Sequence, residues 1–166
     1  METHDDASTR LGASTTDPAL ESLGPLLICL DHVGLAVADL DAAIDLHTRV
    51  LGGTLLHREE NPDQGVAEAM IGIGGSPDGA VAAQVQLIAP LDETSTIAKF
   101  LDRKGPGLQQ LAYRVTDVEV AAERLRAAGV RLLYDTPRPG TAGSKINFCH
   151  PKDTGGVLLE LVEPAR

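Results

Sequence analysis

Four side chains in this 166-residue chain have the types and spacing to bind a divalent metal ion together: His32, Gln86, Gln110 and Glu160. The set offers one imidazole nitrogen, one carboxylate and up to two amide oxygens, with no thiolate. Such borderline-to-hard donors suit an octahedral ion that keeps water positions open, such as cobalt(II), manganese(II) or nickel(II). They do not suit a closed structural zinc site. Taken singly, each residue has a plainer reading. A lone strand histidine is often a satisfied core residue, and a strand glutamine is usually exposed. Glu160, in the middle of GGVLLELVE, either sits on a solvated face or is held by a strong partner.

What sets the four apart is their symmetric placement. With His32 aligned on Gln110, HVGLAVADLDAAIDLHTRVLGGTLL runs against QLAYRVTDVEVAAERLRAAGVRLL with one gap. The two stretches also end alike, VQLIAPL against LELVEPA, which pairs Gln86 with Glu160 and Pro90 with Pro164. A repeat of this kind marks a duplicated unit. Each copy reads as a strand, a helix and three strands, which makes the chain an α+β fold of two tandem βαβββ modules. The expected divisions are a disordered tail at 1–25, a first module at 26–94, a linking helix at 95–106 and a second module at 107–166. Residues 26–166 would then form one domain.

Strand alternation orients the candidates. In the first strand Val33, Leu35 and Val37 face a helix, and His32, Gly34 and Ala36 face a cavity lined by small residues. In the second copy Leu111, Tyr113 and Val115 pack, while Gln110, Ala112 and Arg114 face the cavity. By the same alternation Gln109 points to the opposite face and is structural. Glu68 shares a face with Val66 and Met70. Leu40, Ala43, Ile44 and Leu51 predict a helix over 39–51 that Gly52 stops. His47 on that helix reads as a partly exposed residue. Thr116 and Glu119 have the spacing of a capping box before Val118, Ala121, Ala122 and Leu125. Gly105 caps a linking helix that carries Ile97, Phe100 and Leu101 on one side.

Composition narrows the function. A formal net charge of −10 with no Trp argues against a nucleic-acid partner, because both phosphate contacts and stacking platforms are scarce. No run approaches the ~18 apolar residues of a membrane span. Cys29 and Cys149 lie in apolar strand-like segments without a CxxC pair and read as buried free thiols. The first 25 residues have neither the pattern of a secretory signal nor that of an Arg-rich transit peptide, which predicts a cytoplasmic protein.

Several segments resemble methylmalonyl-CoA epimerases of the vicinal oxygen chelate superfamily, which also contains glyoxalase I and extradiol dioxygenases. The most specific are HREENPDQGVAEAM, PLDETSTIAKFLDRKGPG and INFCHPKDTGGVLLELVE, and the likeness spans about residues 27 to 164. It implies a half-barrel pair around a central metal cleft and a homodimer. It implies metal ligands at His32, Gln86 and Glu160, and a catalytic glutamate at Glu68 after QGV. Glu160 is then a second base as well as a ligand. The remaining ligand position, histidine in a GLHHIA motif, is Gln110 in the GLQQLA of this chain. A neutral amide oxygen there weakens the site without abolishing it. Gln64, Ser144, Lys145 and Asn147 are candidates to orient the substrate, with turn chemistry as their plainer role. Arg103, Lys104, Lys145 and Lys152 are the cations available to an anionic CoA. Two other readings stay open: a glyoxalase-like isomerase or lyase acting on another thioester or thiol adduct, and a non-catalytic ligand-binding protein on the same fold. A dioxygenase is disfavoured, because its iron wants two histidines and one carboxylate.

Overall fold

A computed structural model of the chain describes residues 22–75 and 80–165. The expected N-terminal tail lies outside the described residues as far as 21. Leu23, near its end, is packed with Leu26 of the first module against the Val115–Val118 cluster, and a turn closes through Leu26 N–H to Leu23 O at 2.8 Å.

Eight strands form one curled sheet in the order β2-β3-β4-β1-β5-β8-β7-β6. They are β1 (Leu27–Ala36), β2 (Thr54–Asn61), β3 (Val66–Ile73), β4 (Ala83–Pro90), β5 (Gly107–Val115), β6 (Arg138–Pro139), β7 (Lys145–Cys149) and β8 (Leu158–Glu163). The helices are α1 (Leu40–Asp45), α2 (Thr96–Lys104) and α3 (Val118–Ala127). The order is what two βαβββ units give when their first strands pair at the centre. β1 and β5 run antiparallel, with His32 opposite Ala112 and Gly34 opposite Gln110. The parallel pairs repeat this symmetry, Gly34 lying against Gln86 and Ala112 against Glu160. Duplication therefore extends from the sequence to the residue-level register.

Each module buries its convex face under its own helix. Leu40 of α1 packs with Ala69, Ile71 and Leu87, joined by Leu35, Val37, Ala43 and Ile44. Val118 and Ala121 of α3 pack with Val115, Cys149 and Leu161. α2 closes one end of the concave face, where Ile97, Phe100 and Leu101 meet Ala36, Val66 and Ile88. Ser95 caps α2, accepting from Ala98 N–H at 3.0 Å, and Gly105 ends it at φ 72.

Several local expectations are corrected. α1 stops at Asp45 and continues as a π-helical turn over Leu46–Val50, closed by Leu51 N–H to Leu46 O at 3.0 Å. The extra residue per turn shifts the phase of the stripe, so Leu51 is exposed rather than packed. α3 starts one residue later than its capping box implied. Asp117, not Thr116, is the cap and accepts from Val120 N–H at 2.9 Å. The Leu132–Leu133 strand of the second module is reduced to a single bridge between Leu132 and Cys149, and the edge strand is only Arg138–Pro139. Pro137 and Pro139 lack the N–H groups that a longer ladder needs. Cys149 is buried as expected, with burial pushing its thiol up to about 11, but Cys29 is exposed.

The capping assignment is testable. Asp117→Ala should lower unfolding free energy by about 1 kcal/mol in urea denaturation, with Thr116→Ala changing it by less than half as much. Equal losses would restore the Thr116 cap.

Candidate functional site

The concave face brings all four predicted ligands together. His32, Gln86, Gln110 and Glu160 are each at least nine-tenths buried, and Glu68 is buried beside them. Their side chains form one series of contacts, hydrogen-bonded except between His32 and Glu160. His32 Nδ1 donates to Asp31 Oδ1 at 2.9 Å. On its other side His32 Nε2 lies 3.2 Å from Glu160 Oε2. Gln110 Nε2 donates to Glu160 Oε2 at 2.7 Å and to Gln86 Oε1 at 3.0 Å. Gln86 Nε2 in turn donates to Glu68 Oε2 at 2.8 Å. Gly34 is needed here, because a Cβ at that position would collide with Cγ of Gln110.

The charges follow from this packing. Burial alone would lower the basicity of His32, but Asp31 and Glu160 outweigh it and push its pKa up to about 9. Burial raises the carboxyl of Glu160 despite the neighbouring His32. Burial, with Glu59 and Glu160 nearby, pushes Glu68 up to about 7 although Thr141 works the other way. Asp31 keeps a lowered pKa in spite of burial, because it accepts from both His32 and Arg114 Nε, the latter at 2.5 Å.

Two contributors have no signature in the sequence pattern. Asp31 occupies a bulge between Leu30 and His32, which alternation does not reveal. Its place beside the histidine was the only available signal. Thr141 lies in a Pro/Gly-rich loop, PRPGTAGSK, next to Ala142 in the left-handed region at φ 53. It donates to Glu68 Oε1 at 2.5 Å and accepts from Gln86 Nε2 at 3.3 Å. A non-glycine residue held there is a local strain that the loop must offset elsewhere.

The predicted substrate residues divide. Gln64 lines a cavity of about 400 Å³ together with Glu68, Gln86, Gln110 and Glu160. Ser144 lines a smaller one of about 200 Å³ with His32, Asp31 and Arg114. Lys145 is exposed, with Nζ 3.9 Å from Glu119, so it faces away from the site. Asn147 is buried in a structural role, accepting from Phe148 N–H at 2.8 Å and donating to Tyr134 O at 3.0 Å. The cation that lines the larger cavity is Arg138, which stacks 3.9 Å from the centre of the Tyr134 ring; sequence reasoning named other cations. His47 lies outside both cavities, with Nδ1 buried and unpartnered.

The donor set fits a divalent ion. Nδ1–H donation to Asp31 fixes the ring of His32, and loss of the Nε2 proton would bare a lone pair at a buried atom that has no hydrogen-bond partner. Carboxylate-anchored imidazole of this kind is the usual arrangement at metal centres. Gln110 turns its NH2, not its oxygen, toward Glu160 and Gln86, so its amide must rotate to join the ligands.

Residues 31–148 match the model of the glyoxalase/bleomycin resistance protein/dioxygenase superfamily. The chain belongs to this superfamily. It is 36% identical over 134 residues to an ethylmalonyl-CoA/methylmalonyl-CoA epimerase of Cereibacter sphaeroides, which covers 80% of this chain and 95% of the relative. It is similar to a crystal structure of methylmalonyl-CoA epimerase from Mycobacterium tuberculosis, with a TM-score of 0.79 and 60% identity over 85% of this chain and 91% of that one. A methylmalonyl-CoA epimerase in complex with methylmalonyl-CoA and NH4+ is 43% identical at a TM-score of 0.78, covering 84% and 96% of the two chains. The superfamily membership carries the curled eight-stranded fold with it. Among the described residues, no helix is long and apolar enough to cross a membrane.

Two metal measurements test the site. Gln110→His should tighten divalent-ion binding by about tenfold in a competition titration, because imidazole is the better donor for late first-row ions. Unchanged affinity would remove Gln110 from the ligand set. Metal must also displace the proton that His32 holds up to about 9, so apparent affinity should rise as pH increases from 7 toward 9. A pH-independent affinity would exclude His32.

Proposed function

We propose that this chain interconverts the (R) and (S) forms of methylmalonyl-CoA by moving a proton at the alpha carbon. The observation that carries this reading is the pair of buried carboxyls, Glu68 and Glu160, that line one cavity with the amides of Gln86 and Gln110 linking them. Epimerisation needs bases on both faces of a planar intermediate. Glu68, as carboxylate, takes the proton from one face. The electron pair of the broken C–H bond moves into the thioester carbonyl as an enolate, and the carboxyl of Glu160 gives a proton to the opposite face. The two exchange roles in the reverse direction. Thr141 holds the Glu68 carboxyl in place through Oε1. Gln64 and Ser144 orient the substrate from the two cavities.

His32, Gln86 and Glu160, with Gln110 once its amide turns, are the residues that would hold a divalent ion. Their imidazole and oxygen donors favour cobalt(II), with manganese(II) or nickel(II) as alternatives. When bound, the ion supplies a Lewis acid for the charge that develops on the thioester oxygen. We assign the protein to the cytoplasm as a homodimer acting on a small acyl-CoA, with neither nucleic acid nor membrane as a partner. The exposed Leu46, Val50, Leu51 and Leu55 around the π-turn and the start of β2 favour self-association.

Purified, metal-loaded protein in deuterated water should incorporate deuterium at the alpha carbon of methylmalonyl-CoA. Absence of exchange would refute the epimerase, and conversion of a hemithioacetal instead would favour the glyoxalase-like reading. Glu68→Gln should lower exchange by at least ~100-fold while metal content stays unchanged. Because Glu68 acts only when ionised and its pKa is pushed up to about 7, exchange by the wild-type protein should rise with pH through that value. A flat profile would dismiss Glu68 as the base.

A further inference from the structure

Gln109 does not face the way strand alternation predicts. Gly34 pairs with Gln110 and Leu35 with Leu108, so Gln109 sits in a bulge without a ladder partner. A bulge re-aims a side chain, and Gln109 lines the larger cavity together with Gln110, Glu68 and Gln86. Its counterpart under the internal twofold is Asp31, which occupies the matching bulge between Leu30 and His32. The two bulges have diverged in what they meet. Asp31 is satisfied on both oxygens, by His32 and by Arg114. The counterpart of Arg114 is Ala36, which carries no donor. Gln109 Oε1 is accordingly buried with no hydrogen-bond partner, and its amide must turn toward the cavity to meet one there. A buried amide oxygen left unpaired is costly unless something that enters the site brings a donor.

We infer that Gln109 is a substrate-positioning residue that accepts a hydrogen bond from an amide N–H of the acyl-CoA arm. The inference rests on the acyl-CoA reading above and deepens it. At neutral pH the thioester and the malonyl carboxylate offer only acceptors, so neither can satisfy an acceptor oxygen. The nearest donor along an acyl-CoA is the amide N–H two carbons beyond the thioester sulfur. Gln109 is the chain neighbour of Gln110, whose Cα is about 3.8 Å away, so a group held by Gln109 lies close to the reacting end. Ile97, Leu133 and Leu158 also line this cavity and give it apolar walls for the methylene arm. A contact to a part of the substrate that does not react contributes equally to ground and transition states, and its loss appears in KM rather than in kcat.

The test compares three methylmalonyl thioesters: of CoA, of N-acetylcysteamine, which keeps the first amide, and of pentanethiol, which replaces it with methylenes. Gln109→Met should raise KM about tenfold for the first two, leave KM for the pentyl thioester unchanged, and hold kcat within about twofold throughout. Gln109→Glu keeps an acceptor of the same length and should retain the preference for the amide-bearing thioesters, which a purely structural glutamine would not predict. Equal loss on the pentyl thioester, or no loss on any, overturns this role while the epimerase reading stands. Wild-type protein inert toward all three would overturn the acyl-CoA reading and this inference with it.

Discussion

The antiparallel pairing of β1 with β5 is the constraint on which the site depends. It places His32 against Ala112 and Gly34 against Gln110, and the parallel pairings on either side then bring Gln86 and Glu160 into the same row. Four polar side chains from four strands meet on one concave surface only in this register. A slip of one residue would send each of them to the convex side, under α1 or α3. Those helices resist the slip, because Leu35 and Val37 are packed against the Leu40 cluster and Val115 is fully buried against α3.

The polar row is expensive to bury, and the fold offsets the cost by leaving few of its groups unpaired. Asp31, His32, Glu160, Gln110, Gln86, Glu68 and Thr141 form a continuous series in which each member contacts the next. Buried networks of this kind hold shape when satisfied and fail when half satisfied. The two side-chain atoms of the cleft left without partners, His32 Nε2 and Gln109 Oε1, are therefore informative. One is an imidazole nitrogen 3.2 Å from a carboxylate and the other an amide oxygen of a residue that lines the larger cavity, which makes them the two points, among the described residues, where the cleft is chemically incomplete.

Symmetry built the cleft, and departures from symmetry made it specific. Glu68 lies opposite Ile88 just as Ile146 lies opposite Val162, so the twofold counterpart of the Glu68 carboxyl is an aliphatic side chain. Arg114 has Ala36 as its counterpart, and the imidazole of His32 answers to the amide of Gln110. Each substitution gives the two halves of the cleft different chemistry, with the Glu68 carboxyl and an amide pair toward the larger cavity and the Asp31–Arg114 ion pair toward the smaller.

Period and repeat were legible without coordinates. The alternation in the first strand of each unit, the stripe of α3, the Gly105 cap and the alignment of His32 with Gln110 and Gln86 with Glu160 all follow from local sequence, because side-chain direction in a regular element is set by its own backbone. The π-turn after α1, the loss of the Leu132–Leu133 strand and the bulges at Asp31 and Gln109 were not legible. Each breaks the period, and a break is decided by what the neighbouring strand or helix allows. Thr141 belongs with them, since a loop residue reaches Glu68 only once two sheet edges curl toward each other. The sequence alone therefore determined which residues share a face and which positions are paired by duplication. Tertiary structure decided which of them touch, which way the Gln109 and Gln110 amides point and how far burial and neighbouring carboxylates move Glu68 and His32, because those depend on contacts between segments far apart in the chain.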